Sequence, residues 1–217
     1  MTAAKTFTDR ADAGRVLATL LKPYAARSDV VVLGLPRGGV PVAAEVAAGL
    51  GAPLDVFVVR KLGVPGHDEL AIGAIAGGGV RVLNTSVITA LHIGQDEIDL
   101  VAEREAHELD RRAMAYRGDG RAPLDVGDKV VIVVDDGLAT GSTMRAAVAA
   151  LRALGPSRIV AAVPVGAPGT CAELAREADD VVCARMPHAF HAVGQWYEDF
   201  SPPSESEIRR LLEAPRP

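Results

Sequence analysis

At 217 residues, nearly half of them apolar, the chain is long enough for one domain with a sizeable core, and its formal charge of −5 gives no global basic field for nucleic acid or an anionic membrane. The two cysteines, Cys171 and Cys183, form no CxxC pair and read as small core residues, which argues against a disulfide scaffold. The N-terminus lacks the apolar stretch of a signal peptide and no run reaches the length of a membrane span, so the expectation is a soluble cytoplasmic protein with no nucleic-acid partner.

In chain order, Val16, Leu17, Leu20 and Leu21 recur at helical spacing behind Thr8 or Asp9 as a cap, and Pro23 bounds that helix. Val30 to Gly34 is a short β-branched run, too uniformly apolar for a one-sided sheet, and predicts a strand buried on both faces of a parallel sheet. A turn at Leu35 to Gly39 leads into a helix that carries Val42, Ala43, Val46, Ala47 and Leu50 on one side. Leu54 to Val59 predicts a second buried strand. The Gly-rich excursion that follows, about 60–84, reads as a poor core element and as a mobile loop or hairpin. Gln95 to Tyr116 is an amphipathic helix with Ile98, Val101, Leu109 and Tyr116 inward, and Gly118 to Gly127 a linker. Val130 to Val134 is the third strand. Behind it lies a helix with Met144, Ala147, Val148, Leu151 and Leu154 at its apolar positions. Arg158 to Val163 and Asp180 to Cys183 are two further strands around a helix at Gly169 to Glu177. Alternating strands and helices with right-handed crossovers predict an α/β fold, a doubly wound and mostly parallel sheet.

The chemistry concentrates in Val130 to Thr143. A buried strand ends in two adjacent carboxylates, Asp135 and Asp136, and a Gly-, Thr- and Ser-rich loop opens directly into a helix. Ligands of open α/β sheets sit at the carboxyl ends of the strands, so Ala139 to Thr143 can aim several backbone N–H groups at one point. The helix start adds about half a positive charge there, and the hydroxyls of Thr140, Ser142 and Thr143 add donors. That is a pocket for a phosphate. The carboxylates would repel it and suit hydroxyl donors or a divalent cation instead. A phosphate at one end and a diol at the other describe a phosphorylated sugar. The bland alternative, a capped helix start beside two solvated acids, needs no Gly-Ser-Thr run. A Walker pattern would need a Lys before the Ser or Thr and a dinucleotide fingerprint would need G-x-G-x-x-G; neither is present.

An apolar strand followed by Asp-Asp-Gly-Leu-Ala-Thr-Gly-Ser-Thr resembles the 5-phosphoribosyl 1-pyrophosphate motif of the type I phosphoribosyltransferases. The resemblance implies that Asp135 and Asp136 bind the ribose hydroxyls, and that Ala139, Thr140, Gly141, Ser142 and Thr143 bind the 5-phosphate. Arg37-Gly38-Gly39 looks like the family's pyrophosphate loop: glycines let the backbone approach a diphosphate, and Arg37 can pair with it as a planar fork. Arg60 and Lys61 sit where the family often places cations on the leaving pyrophosphate, although a solvated strand end accounts for them equally well. The stretch 60–84 corresponds in position to the family's mobile catalytic loop, where His67, Asp68 and Glu69 could contribute.

The domain expected is single, 1–217, with a core at about 28–184 and a small C-terminal hood at about 185–217. Aromatic residues concentrate there, and Trp196 and Tyr197 suit either stacking on a planar acceptor or pinning the tail; Phe200 favours the pin. By resemblance the reaction is Mg²⁺-assisted displacement of pyrophosphate by a nucleobase or similar nitrogen nucleophile. Asp135, Asp136 and Arg37 are then the catalytic residues, and the two carboxylates act on the metal indirectly, through water or substrate. Ala139 stands where 6-oxopurine enzymes often carry an Asp, which counts against that acceptor class. A non-catalytic sensor of the same ligand is the alternative, and family resemblance also makes a homodimer an expectation.

Overall fold

The computed structural model describes residues 6–64, 67–77, 79–118 and 122–213, with the side chains of 67–70 outside that set. The elements run α1 (Arg10–Leu20), a 3-10 turn at Lys22–Tyr24, β1 (Val30–Gly34), α2 (Gly39–Leu50), β2 (Leu54–Val56), β3 (Val59–Val64), β4 (His67–Ala76) and β5 (Val80–Leu83). There follow α3 (Thr85–Leu91), α4 (Gln95–Arg117), β6 (Val130–Val134), α5 (Ser142–Ala153), β7 (Arg158–Val165), α6 (Pro168–Leu174) and β8 (Asp180–Arg185). A 3-10 turn at Val193–Trp196 and α7 (Glu205–Glu213) complete the order.

Five strands form one parallel sheet in the order β2-β1-β6-β7-β8. The register sets Val32 of β1 opposite Leu54 on one side and Ile132 on the other. Because strand side chains alternate, Val31, Leu33, Val131 and Val133 face α5 and α6, while Val30, Val32, Val130, Ile132 and Val134 face α1 and α2. Both faces are therefore covered, as the uninterrupted β-branched runs predict. Because the strands are parallel, the loops that leave them lie at one edge of the sheet, and those after β1 and β6 are neighbours there.

The excursion after β2 holds the antiparallel pairing of the hairpin expectation but departs from it as a core element. The second strand stops at Val56, and Val59 begins a separate three-stranded antiparallel sheet, β3-β4-β5. Leu62, Val64, Ile72 and Ile75 are buried in it and pack with Ile98, Val101, Leu109 and Tyr116 of α4 and with Ile208 and Leu212 of α7. The stretch read as a poor core element is thus part of a hydrophobic core. Its glycines hide this, since Gly73 lies against the Val82 and Leu83 backbone, where a side chain would not fit.

Smaller corrections have local reasons. Helix α1 docks on α2 through Ala13, Gly14, Leu17 and Ala18, which turns Leu20 outward to 48% exposure and leaves Val16 half-buried. Leu154 caps α5 rather than completing its buried stripe. Helix α6 ends three residues earlier than predicted, and α3 lies where no helix was expected, capped by Asn84, whose side chain accepts from the Val87 N–H. The C-terminal stretch divides in two. Residues 193–201 lie against the N-terminal segment beside the strand ends, while α7 packs on α2, α4 and β2.

Candidate active site

The loop after β1 and the loop after β6 touch. Leu35 N–H donates to the Val134 carbonyl at 2.9 Å, and Gly39 N–H donates to Leu35 at 2.9 Å. A Cβ at Gly38 would overlap the Asp136 carboxylate, and one at Gly39 would lie 2.5 Å from the Val134 carbonyl oxygen. These two positions are glycine because another strand's acidic end occupies the space. The Pro36–Arg37 peptide is cis; Arg37 is exposed and makes no ion pair among the described residues.

Asp135 and Asp136 stand at the end of β6 in unlike surroundings. Asp135 is half-buried at the strand end and its Oδ1 accepts the Asp136 N–H at 2.9 Å. Burial, and then the neighbouring Asp136 charge, push its carboxyl well above the usual range. Burial raises Asp136 too, but Arg10 opposes this: its Nε and Nη2 lie 2.9 and 2.8 Å from Asp136 Oδ2. Tyr197 Oη donates to the Asp136 carbonyl at 2.6 Å.

Behind the acids, buried Leu138 pins the loop to the next strand: its N–H donates to Val165 at 2.8 Å and its carbonyl accepts from Ala167 at 3.0 Å. Thr170 Oγ1 donates to the Ala139 carbonyl at 2.8 Å. Gly141 has φ +72°, a left-handed conformation that side chains disfavour, and a Cβ there would also meet Thr170 Cγ2 at 2.7 Å. Held this way, the N–H groups of Ala139, Thr140 and Gly141 donate to no group among the described residues and precede the first turn of α5. Thr140 and Thr143 are exposed and Ser142 half-buried beside them. The arrangement is an anion cradle of backbone donors, hydroxyls and a helix start.

Arg60 is not a free cation. Its Nε and Nη2 lie 2.7 and 2.5 Å from Glu105 Oε2 on α4, and Arg104 approaches the same carboxylate. Lys61 makes no ion pair among the described residues. A cavity of about 380 Å³ opens beside it, walled by Pro36, Arg60, Lys61, Arg112 and Thr143, so Arg60 and Lys61 share its wall with one residue of the turn after β1 and one of the first turn of α5; Arg37 and the acid pair do not line it. A second, of about 500 Å³, lies between the antiparallel sheet and α5, with Lys61, Thr140, Ser142 and Arg145 in its wall.

Trp196 is half-buried and packs on a small cluster built by Phe7, Ala13, Val165 and Tyr197, and its indole N–H is buried without a partner among the described residues. Phe200 lies 5.1 Å from the Tyr197 ring and 4.1 Å from the Arg10 guanidinium carbon, between centroids or from centroid to carbon, which fits a pin. The side chains of His67, Asp68 and Glu69 lie outside the described residues. Cys171 and Cys183 both line Gly166, one buried and one half-buried. Among the described residues no group of three His, Cys, Asp or Glu side chains could hold a metal ion. Asp135 and Asp136 offer carboxylate oxygens without a third protein ligand, a donor set that suits an ion carried mainly by a ligand's own oxygens.

A phosphoribosyl transferase domain profile matches residues 8–199, a span that includes both loops. The chain belongs to the phosphoribosyl transferase family. Proteins from two strains of Mycobacterium tuberculosis, provisionally named phosphoribosyl transferases, are each 49% identical over 209 residues, which is 96% of this chain and 47% of theirs. The chain therefore spans about half the length of these curated relatives. A crystal structure of TT1426 from Thermus thermophilus superposes with a TM-score of 0.88 at 41% identity, covering 95% of this chain and 97% of that one. Of the residues that contact the expected site residues in this phosphoribosyl transferase domain, Arg10 on Asp136 and Glu105 on Arg60 escaped sequence reasoning, and Tyr197 was expected in the hood but not on Asp136. Their partners lie 126, 45 and 61 positions away, and no local pattern marks them.

Proposed function

We propose that the chain binds 5-phosphoribosyl 1-pyrophosphate and transfers its phosphoribosyl group to a nitrogen nucleophile, with release of pyrophosphate. The observation that carries the reading is the contact between two loops of opposite chemistry. A backbone anion cradle and an acid pair follow β6, and the Arg37-Gly38-Gly39 turn is pressed against that pair. A ligand spanning them needs a phosphate monoester, a diol and a second anionic group in that order.

In this reading the cradle at 139–143 takes the 5-phosphate, and Asp135 and Asp136 accept from the ribose hydroxyls. Gly38, Gly39, Arg37 and Lys61 face the diphosphate, while Arg60, held in its pair with Glu105, borders the cavity that Lys61 and Pro36 line. The bond from C1 to the pyrophosphate oxygen breaks and the pyrophosphate leaves with the electron pair. The acceptor nitrogen forms the new bond to C1 and gives up its proton. Positive charge that develops on the ring is stabilised by the two carboxylates, and negative charge on the leaving group by the cations opposite. Mg²⁺ would supply charge neutralisation on the diphosphate, with Asp135 and Asp136 acting on it through water or substrate.

Calorimetric titration of phosphoribosyl pyrophosphate with Mg²⁺ tests the reading on the native chain and on Asp135→Asn/Asp136→Asn, which keeps shape and removes both charges. Micromolar binding that the double variant loses by tenfold or more is the expected result, followed by pyrophosphate release when nitrogen acceptors are screened. Absence of binding by the native chain overturns it.

A further inference from the structure

The acid pair is not left to itself at the strand end. Arg10, on the first turn of α1, reaches it from a part of the chain that belongs to neither loop. The Arg10 side chain is only 10% exposed, and all its nitrogens are engaged. Nε and Nη2 hold Asp136 Oδ2, and Nη1 donates to the Ser201 carbonyl at 2.7 Å. Phe200 covers the guanidinium at 4.1 Å, a separation at which a cation is attracted to a ring face.

The segment that Arg10 grips is itself tied to the N-terminus. Phe7 N–H donates to the Trp196 carbonyl at 2.8 Å, Glu198 N–H to Phe7 at 2.8 Å and Asp199 N–H to Thr8 at 2.9 Å. The Phe7 and Tyr197 rings pack 5.5 Å apart, and Tyr197 Oη holds the Asp136 carbonyl. Val193 closes the group by lying against Gly137, where any side chain would collide with it. Residues 6–10 and 193–201 therefore form a clasp over one side of the acid pair, and Arg10 is the only cation among the described residues that contacts a carboxylate of the pair.

The consequence lies in which oxygens remain. Asp136 Oδ2 is taken by Arg10, and Asp135 Oδ1 by the Asp136 N–H. One oxygen on each carboxylate, Asp136 Oδ1 and Asp135 Oδ2, accepts from no other residue among the described residues. Two adjacent hydroxyls need two acceptors, one from each acid, held at a fixed separation. A carboxylate gripped at one oxygen by a planar fork loses the freedom to rotate its other oxygen away.

We propose that Arg10 is a positioning residue for the sugar site. It fixes the rotation of Asp136 so that the pair presents one free oxygen each to a vicinal diol, and it couples that presentation to the closed clasp. The inference rests on the proposed phosphoribosyl pyrophosphate site and concerns how that site selects a diol.

A double-mutant cycle on ligand affinity tests it, with Arg10→Gln, Asp136→Asn and the two combined, titrated with phosphoribosyl pyrophosphate and Mg²⁺. The expected result is that Arg10→Gln weakens binding tenfold or more in the native background and less than twofold where Asp136 is already Asn. Arg10→Lys keeps the charge but not the fork, and serves should the Gln variant fail to fold; its affinity is expected between native and Gln values. Amide exchange of residues 196–201 supplies a second readout, slowing on ligand binding in the native chain and not in either Arg10 variant. Equal loss from Arg10→Gln in both backgrounds, or native affinity in Arg10→Lys with undiminished protection of the clasp, overturns the positioning role while leaving the ligand assignment intact. Absence of binding by the native chain itself sinks the ligand assignment instead.

Discussion

In the five-stranded sheet, every residue of β1 and of β6 is buried, between α1 and α2 on one side and α5 and α6 on the other. In the three-stranded sheet, β3 buries Leu62 and Val64 and leaves its other residues half-exposed, and β5 is half-exposed or exposed throughout. One sheet is closed by crossovers that carry helices; the other is a meander packed on α4 and α5, in which only β4 buries consecutive residues, Ala74, Ile75 and Ala76. The first supplies rigid strand ends, so the anion cradle and the acids keep their spacing. The second supplies Lys61 and Arg60 beside the start of α5, from strands that are mostly half-exposed. Rigid charge placement and adaptable coverage thus come from two different sheets.

The largest effects should separate these two bodies. Ile132→Ala, in the middle of β6, is expected to cost about 4 kcal/mol, and Ile72→Ala in β4 about 2–3 kcal/mol, because the half-exposed strands beside β4 can collapse into the space. Urea denaturation measures both. An Ile72 loss as large as that of Ile132 would mean that the second sheet is as tightly built into the core as the first.

A smaller effect should come from the seam between the loops. Gly38→Ala drives a methyl group into the Asp136 carboxylate, and an expected cost of about 1–3 kcal/mol comes with at least a tenfold loss of phosphoribosyl pyrophosphate affinity. If affinity is unchanged by calorimetry, the Arg37-Gly38-Gly39 turn does not share a ligand with the acid pair.

The smallest effect has the opposite sign. The Asp135 carboxyl is raised by burial and by Asp136, so its ionised form costs stability in the folded state. A raised carboxyl contributes stability that is fully present below its ordinary pKa of 3.8 and is lost as pH rises through the folded-state value. Asp135→Asn is therefore expected to raise Tm at neutral pH by about 2–4 °C, the shift that roughly 1 kcal/mol gives in a chain of this size. The gain should shrink as pH falls. A gain independent of pH would show that charge burial is not its source.

How much of this was legible depended on how local the cause was. The strands at Val30 to Gly34 and Val130 to Val134 were, because burial on both faces demands an unbroken β-branched run. The helix after Gly141 was, because four of its five predicted apolar positions are the buried ones. The second sheet was not. Its buried residues are interleaved with Gly63, Gly73, Arg60 and Lys61, and what makes Leu62 and Ile72 core residues is α4, some 30 positions further on. The tail aromatics were legible as a group, but the division of the tail between a clasp at 193–201 and the distant α7, which carries no aromatic residue, was not.

By itself the sequence determined the alternation of strands and helices, the Gly-, Ser- and Thr-bearing loop at 139–143 that opens α5, and the two acids in front of it. These follow from periodicity, glycine placement and charge within a window of some fifteen residues. Only the tertiary structure decided that Gly38 meets Asp136, that Arg60 is committed to Glu105, and that Arg10 grips one acid of the pair and leaves the other unpaired. Those contacts join residues far apart in the chain, and the burial that perturbs each charge comes into being only when the surrounding elements have packed.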